Sequence, residues 1–129
     1  MAAPLVRFRI DLAEHSSVGP GKTSLLEAIR DTGSLSAGAH NIGMSYRRAW
    51  LLVESLRQSF REPVTVASKG GKHGGGMLVT EFGDALIKIY RESERDFARL
   101  AERRLDPIIA TVTRHSKYRP KVSVRGKLA

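Results

Sequence analysis

The chain has 129 residues, enough for one compact domain but not comfortably for two, and its 41% apolar content supports a packed core rather than wholesale disorder. Lys and Arg total 22 against 13 acids, and the resulting charge of +9 favours an anionic partner, either nucleic acid or an anionic membrane surface. No cysteine is present, which excludes disulfides, thiolate metal sites and thiol catalysis; no signal-peptide core or membrane-length apolar run is visible either, which points to a soluble cytoplasmic protein.

In chain order, Val6, Phe8, Ile10 and Leu12 alternate with Arg7, Arg9 and Asp11, the period of a half-buried strand. Residues 16–19 read as a loop, and Pro20 suits a first helical position because its missing N–H is not needed there. Leu25, Leu26, Ala28 and Ile29 make one helical face, which Gly33 can end in the left-handed conformation. A second helix is expected from an N-cap at Ser36 to Gly43. A third runs from about Ser45 to Phe60, with Ala49, Leu52, Val53, Leu56 and Phe60 at core spacing. Pro63 forces a break, and residues 64–67 and 77–79 are short strand candidates around a glycine-rich loop. Thr80 caps a long helix with apolar positions Leu86, Ile89, Tyr90, Phe97, Leu100 and Leu105; Asp106-Pro107 is expected to kink or end it. Beyond Asp106 there is no acid, while Arg114, Lys117, Arg119, Lys121, Arg125 and Lys127 make a basic tail. It reads as a solvated tail, as an arm touching phosphates, or, through Val122 and Val124, as a short added strand.

Gly21-Lys22-Thr23 has the look of a phosphate-binding loop end, but that loop needs a glycine where Ser16 stands. Pro20 also removes one N–H from the donor nest, and no later strand ends in an aspartate suited to Mg²⁺. The stretch reads as a turn into the first helix with Lys22 exposed, and no catalysis is expected.

The order helix, tight Gly43-Met44-Ser45 turn, helix, β-hairpin reads as an α+β winged helix-turn-helix. It would have a three-helix core, a β-hairpin wing, a short N-terminal strand and a long C-terminal dimerisation helix, over residues 1–113 with a tail at 114–129. A recognition helix must be pinned from behind while its first turn enters the major groove. Ser45 would cap it and leave its dipole to meet a phosphate. Arg47 and Arg48 can bond guanine acceptors, and Tyr46 can stack on sugar or thymine methyl or bond a phosphate. Ser36 joins this set of DNA-facing candidates. Trp50 reads as a core or dimer-contact residue rather than a base reader. At the wing, Lys69, Lys72 and His73 put positive charge among closely spaced glycines, suited to phosphates or a narrow minor groove. The plainer alternative for that loop is a flexible hairpin tip. One loop histidine without cysteine does not make a metal site, so no metal or cofactor is expected.

Leu26-Glu27-Ala28-Ile29, Thr32-Gly33-Ser34-Leu35-Ser36, Gly43-Met44-Ser45-Tyr46-Arg47-Arg48-Ala49-Trp50 and the segment from Gly70 to Gly76 closely resemble the N-terminal winged-helix domain of ModE-type molybdate-dependent regulators. Leu78-Val79-Thr80-Glu81-Phe82-Gly83 matches the exit from the wing, and a looser likeness extends to the DNA-binding domain of LysR-type regulators. The resemblance covers roughly residues 5–105. It implies a bacterial or archaeal homodimer on promoter DNA, often linked to molybdenum transport or metabolism. By position it assigns Ser45, Tyr46, Arg47 and Arg48 to the recognition-helix start and Lys69, Lys72 and His73 to the wing. Relatives often carry two alanines at Gly38-Ala39, where a helical glycine costs about 1 kcal/mol. They also carry C-terminal oxyanion-binding domains, so a stand-alone form that binds DNA without molybdate is expected here. Two alternatives from other classes are a non-specific architectural nucleic-acid-binding protein dominated by the tail and a protein-binding adaptor on the same fold.

Overall fold

The computed structural model describes residues 5–69 and 75–113. Their elements are β1 (Ile10–Ala13), β2 (Ser16–Val18), α1 (Pro20–Thr32), α2 (Leu35–Asn41), α3 (Tyr46–Ser59), β3 (Thr65–Ser68), β4 (Gly76–Val79) and α4 (Glu81–Ile109). Four helices thus combine with two small antiparallel sheets, a mixed arrangement compatible with the α+β expectation.

The N-terminal segment alternates in burial from Leu5 to Ile10, as its period predicts, but pairing begins only at Ile10 and Leu12 is 51% exposed. Its partner is β2, a stretch expected to be loop. The two serines of β2 give no apolar alternation, and the hairpin is closed by His15 at φ 63°, with only Val18 fully inside. Phe8 lies against α4, stacked on Tyr90 at 4.8 Å and edge-on to Phe97 at 4.8 Å, and its carbonyl accepts from Tyr90 Oη at 2.7 Å.

Helix α1 opens with Pro20 as expected and ends at Gly33, whose φ of 82° is the left-handed conformation. The next cap is at Ser34, not Ser36. Ser34 is extended and its Oγ accepts from Ala37 N at 2.9 Å, while Ser36 lies exposed inside the first turn of α2. The reason is Leu35, which must point into the core immediately after the Gly33 turn. Gly38 faces α1 so closely that a β-carbon would stand 3.0 Å from Ile29 N, so the glycine permits the helix-on-helix approach.

The core is one continuous seam in two parts. Leu25, Ile29, Leu35, Ala39, Ala49 and Val53 join α1, α2 and α3, flanked by Met77 and Val79 of β4. Leu26, Leu56, Val64 and Ile87 extend it to α4. The β3–β4 hairpin pairs Thr65 with Val79 through Ser68 with Gly76, and Met77 N donates to Gly33 O at 2.8 Å, tying it to the α1–α2 turn. Thr80 accepts from Gly83 N at 3.0 Å as the α4 cap and donates to Pro63 O at 2.7 Å. Arg91, part-buried, bonds Glu27 at 2.8 Å, Ser24 at 3.0 Å and Glu94 at 2.8 Å, which fastens α4 to α1. Burial disfavours its charge, yet the two carboxylates outweigh that and hold the guanidinium above its ordinary value. Helix α4 runs 29 residues and passes Pro107 by two residues. The missing proline N–H falls in the final, exposed turn, where water can serve the freed carbonyl. No described helix is long and apolar enough to cross a membrane.

Candidate nucleic-acid interface

Helix α3 is seated by Ala49, Val53 and Leu56, which leaves the opposite side of the cylinder to solvent. It is preceded by Gly43 at φ 68° and by Met44, whose N donates to Ala39 O at 2.9 Å; these close the sharp turn between α2 and α3. Ser45 is extended, and its Oγ accepts from Arg48 N at 3.1 Å. The amides of Tyr46 and Arg47 have no intrahelical acceptor, as at any helix start.

The first turn of α3 holds no acidic residue, whereas the first turn of α4 carries Glu81 and Asp84. Arg47 and Arg48 instead put two positive charges at the positive end of the helix dipole, an arrangement that works against the helix itself. Both are exposed, and among the described residues neither guanidinium forms a hydrogen bond or ion pair. Arg57, Arg30 and Arg99 pair with Glu54, Asp84 and Asp96, whereas Arg7, Arg61, Arg95, Arg103 and Arg104 share that unpaired state, so what sets Arg47 and Arg48 apart is their place at a capped helix start without acids. Guanidiniums free of internal partners beside a capped helix start have the donor geometry to bond an anion with planar acceptors.

Tyr46 is 57% exposed on the same turn. Trp50, expected in a core or dimer contact, is 48% exposed and belongs to neither core group. Because Ala49, Val53 and Leu56 take the inward positions, the helical period turns Trp50 and its neighbour Leu51 outward, beside Arg47. Beyond them lie Glu54 and Gln58. Arg57 bonds the Glu54 carboxylate and holds it below the usual carboxylate range. A cleft of about 440 Å³ separates this end of α3 from the β1–β2 turn, between Leu51, Glu54 and Gln58 on one wall and Glu14 and His15 on the other.

Of the remaining candidates, Ser36 is exposed on α2 and Lys69 is exposed just after β3, while Lys72 and His73 lie outside the described residues, as does the tail at 114–129. Lys22, expected exposed, is part-buried: its Nζ donates to Ser17 O at 2.7 Å and to Ser55 Oγ at 3.0 Å. Burial, followed by the nearby charge of Arg9, holds this ammonium below the ordinary lysine value. It bridges β2 and α3, and is not aimed at a phosphate loop.

Known proteins resemble this chain. It is 41% identical over 83 residues to the molybdenum-pterin-binding protein MopB of Rhodobacter capsulatus, a match covering 64% of this chain and 31% of that protein. It is 31% identical over 103 residues to the molybdenum transport protein ModE of Azotobacter vinelandii, covering 77% and 38%. It is 33% identical over 85 residues to the DNA-binding transcriptional dual regulator ModE of Escherichia coli, covering 66% and 32%. No protein-family model matches the chain. The similarity is to ModE-like, molybdenum-related bacterial proteins, and the chain spans well under half the length of these three relatives, 31% to 38%.

Sequence reasoning left open whether Trp50 enters the core, and it turns outward. The available signal was its place in the helical period relative to Ala49 and Val53, against which its residue type was weighed.

Proposed function

We propose that this chain is a sequence-specific, DNA-binding transcriptional regulator of the ModE and LysR-like type, acting in the cytoplasm on genes linked to molybdenum. In this role α2, the Gly43 turn and α3 form a helix-turn-helix, with α3 as recognition helix in the major groove. The β3–β4 hairpin is the wing, whose Lys69, Lys72 and His73 track phosphates, and α4 joins two copies. The observation that carries the reading is the start of α3: a Ser45 cap, no first-turn acid, and the side chains of Tyr46, Arg47 and Arg48 exposed without internal partners. The similarity to a protein named as a DNA-binding dual regulator supports it.

The test is fluorescence anisotropy of the full chain on its own upstream DNA against a scrambled duplex, at several salt concentrations, with and without molybdate. Preference for the upstream DNA near physiological salt is the expected result. Arg47→Ala should cost about 1–3 kcal/mol on the preferred duplex and leave scrambled binding nearly unaltered. The net charge of +9 favours one rival, an architectural protein that coats nucleic acid. Equal binding to both duplexes, collapsing steeply with salt and with removal of residues 113–129, would install that rival.

A further inference from the structure

With Ser45, Arg47 and Arg48 given to phosphate and guanine, the outer side of α3 still presents two apolar side chains that the core does not use. Trp50 and Leu51 are 48% and 49% exposed, and they flank the direction in which Arg47 points by helical period. Of the two acids that share a cleft with Leu51, Glu54 is bonded to Arg57, while Glu14 stands on the facing wall. An apolar pair bordered by two unpaired arginines suits a partner whose surface is anionic at its edges and apolar at its centre. A major groove meets that description in one way: among the four bases, only thymine presents a methyl group there.

We propose that Trp50 and Leu51 read thymine C5 methyls, so that each half-site carries thymine beside the guanine bonded by Arg47. This rests on the DNA-binding reading above, and it adds an apolar code to the arginine one. Burying one methyl-sized group contributes about 0.8 kcal/mol, equivalent to about fourfold in affinity.

The experiment begins with the full chain enriching duplexes from a random pool near physiological salt. The enriched duplex is then compared with the same sequence carrying deoxyuridine for thymidine in each half-site, which removes methyls and keeps every hydrogen-bonding group. Wild type should bind the uridine duplex about fourfold more weakly for each methyl read. Trp50→Ala and Leu51→Ala, whose side chains lie outside the core, should narrow that ratio, and the double variant should abolish it. Because Trp50 is the chain's single tryptophan, its fluorescence offers a second readout. It should change more on the thymidine duplex than on the uridine one. Equal affinity of wild type for the two duplexes overturns the inference, and so does a ratio that survives in the double variant. Enrichment without methyl sensitivity removes Trp50 and Leu51 alone, whereas a pool that yields no preferred sequence removes the regulator reading beneath them.

Discussion

In α4, a β-carbon at Gly83 would overlap the carbonyl oxygen of Val64 and stand 2.6 Å from Val79 Cγ1, so the helix start can reach the β3–β4 hairpin only through a glycine. Gly83→Ala should therefore destabilise by about 1–3 kcal/mol, the usual range for an overpacked core. Gly38→Ala would gain up to about 1 kcal/mol of helix propensity but must push against the α1 backbone at Ile29 N, 3.0 Å away. Backbone yields little, so the net effect should also be loss. Gly21, in α1, has nothing within 4 Å of its virtual β-carbon, and Gly21→Ala should stabilise by about 0.4–1 kcal/mol. Urea unfolding of the three variants checks the order, and a stabilised Gly38→Ala would show that α1 and α2 can separate freely. At Lys22 the issue is charge. Its ammonium is held below the ordinary value of 10.5 by burial and then by Arg9, so the unfolded chain binds this proton more tightly than the folded one. The charge consequently opposes folding at neutral pH, and that opposition lifts as pH rises through the folded value toward 10.5. The stability of wild type relative to Lys22→Met should climb with pH over the alkaline range below 10.5. A difference that stays flat there would mean that Lys22 titrates as a solvated lysine.

At the level of elements, two serines competed for one cap. Ser34→Ala removes the acceptor of Ala37 N and should cost about 1 kcal/mol, while Ser36→Ala should stay within about 0.5 kcal/mol. Thermal unfolding of the pair distinguishes them, and equal losses would place the cap at neither serine alone. This ambiguity shows where the fold was legible in the sequence. Helices α1, α3 and α4 announced themselves because their apolar residues recur at helical spacing beside a proline start, a serine cap and a threonine cap. The α2 boundary did not, because Ser34 and Ser36 are chemically equivalent caps and only the need to bury Leu35 chooses between them. The β1–β2 hairpin was half hidden: Ile10 alternates with its neighbours, but Ser16 and Ser17 carry no apolar signal and pair through backbone alone. Pro107 marked the end of α4 to within one turn, since proline deletes a single donor and an exposed final turn tolerates that. For the candidate site, the capped start with Arg47 and Arg48 was readable from local chemistry. For Trp50 the core half of the expectation fails, because size argues for burial while its place in the helical period argues against it.

For the whole molecule, the fate of α4 beyond Phe97 matters most. The helix is about 43 Å long at 1.5 Å per residue, and the core occupies only its first half, through Ile87 and Tyr90. Arg91 is the last strong fastening, through Glu27 and Ser24 of α1. After it, Phe97 is still edged by Phe8, but Leu100, Leu105 and Ile108 are 40%, 37% and 56% exposed. The surface ion pairs along the same helix, Lys88 with Glu92 and Arg99 with Asp96, are open to water and contribute little each. A second copy of the chain, packed about a two-fold axis, would cover the apolar side and leave the charged one in solvent. It would also set two α3 helices about one DNA turn, or a multiple of it, apart. Sedimentation at tens of micromolar should therefore give a dimer. Leu100→Glu with Ile108→Glu should give a folded monomer of unchanged helix content, since neither side chain belongs to the core. That monomer should bind a two-half-site duplex no more tightly than a single half-site, because the second contact is no longer tethered. A wild-type monomer at these concentrations would remove the dimer, and a double variant that still sediments as a dimer would move the interface off this stretch of α4.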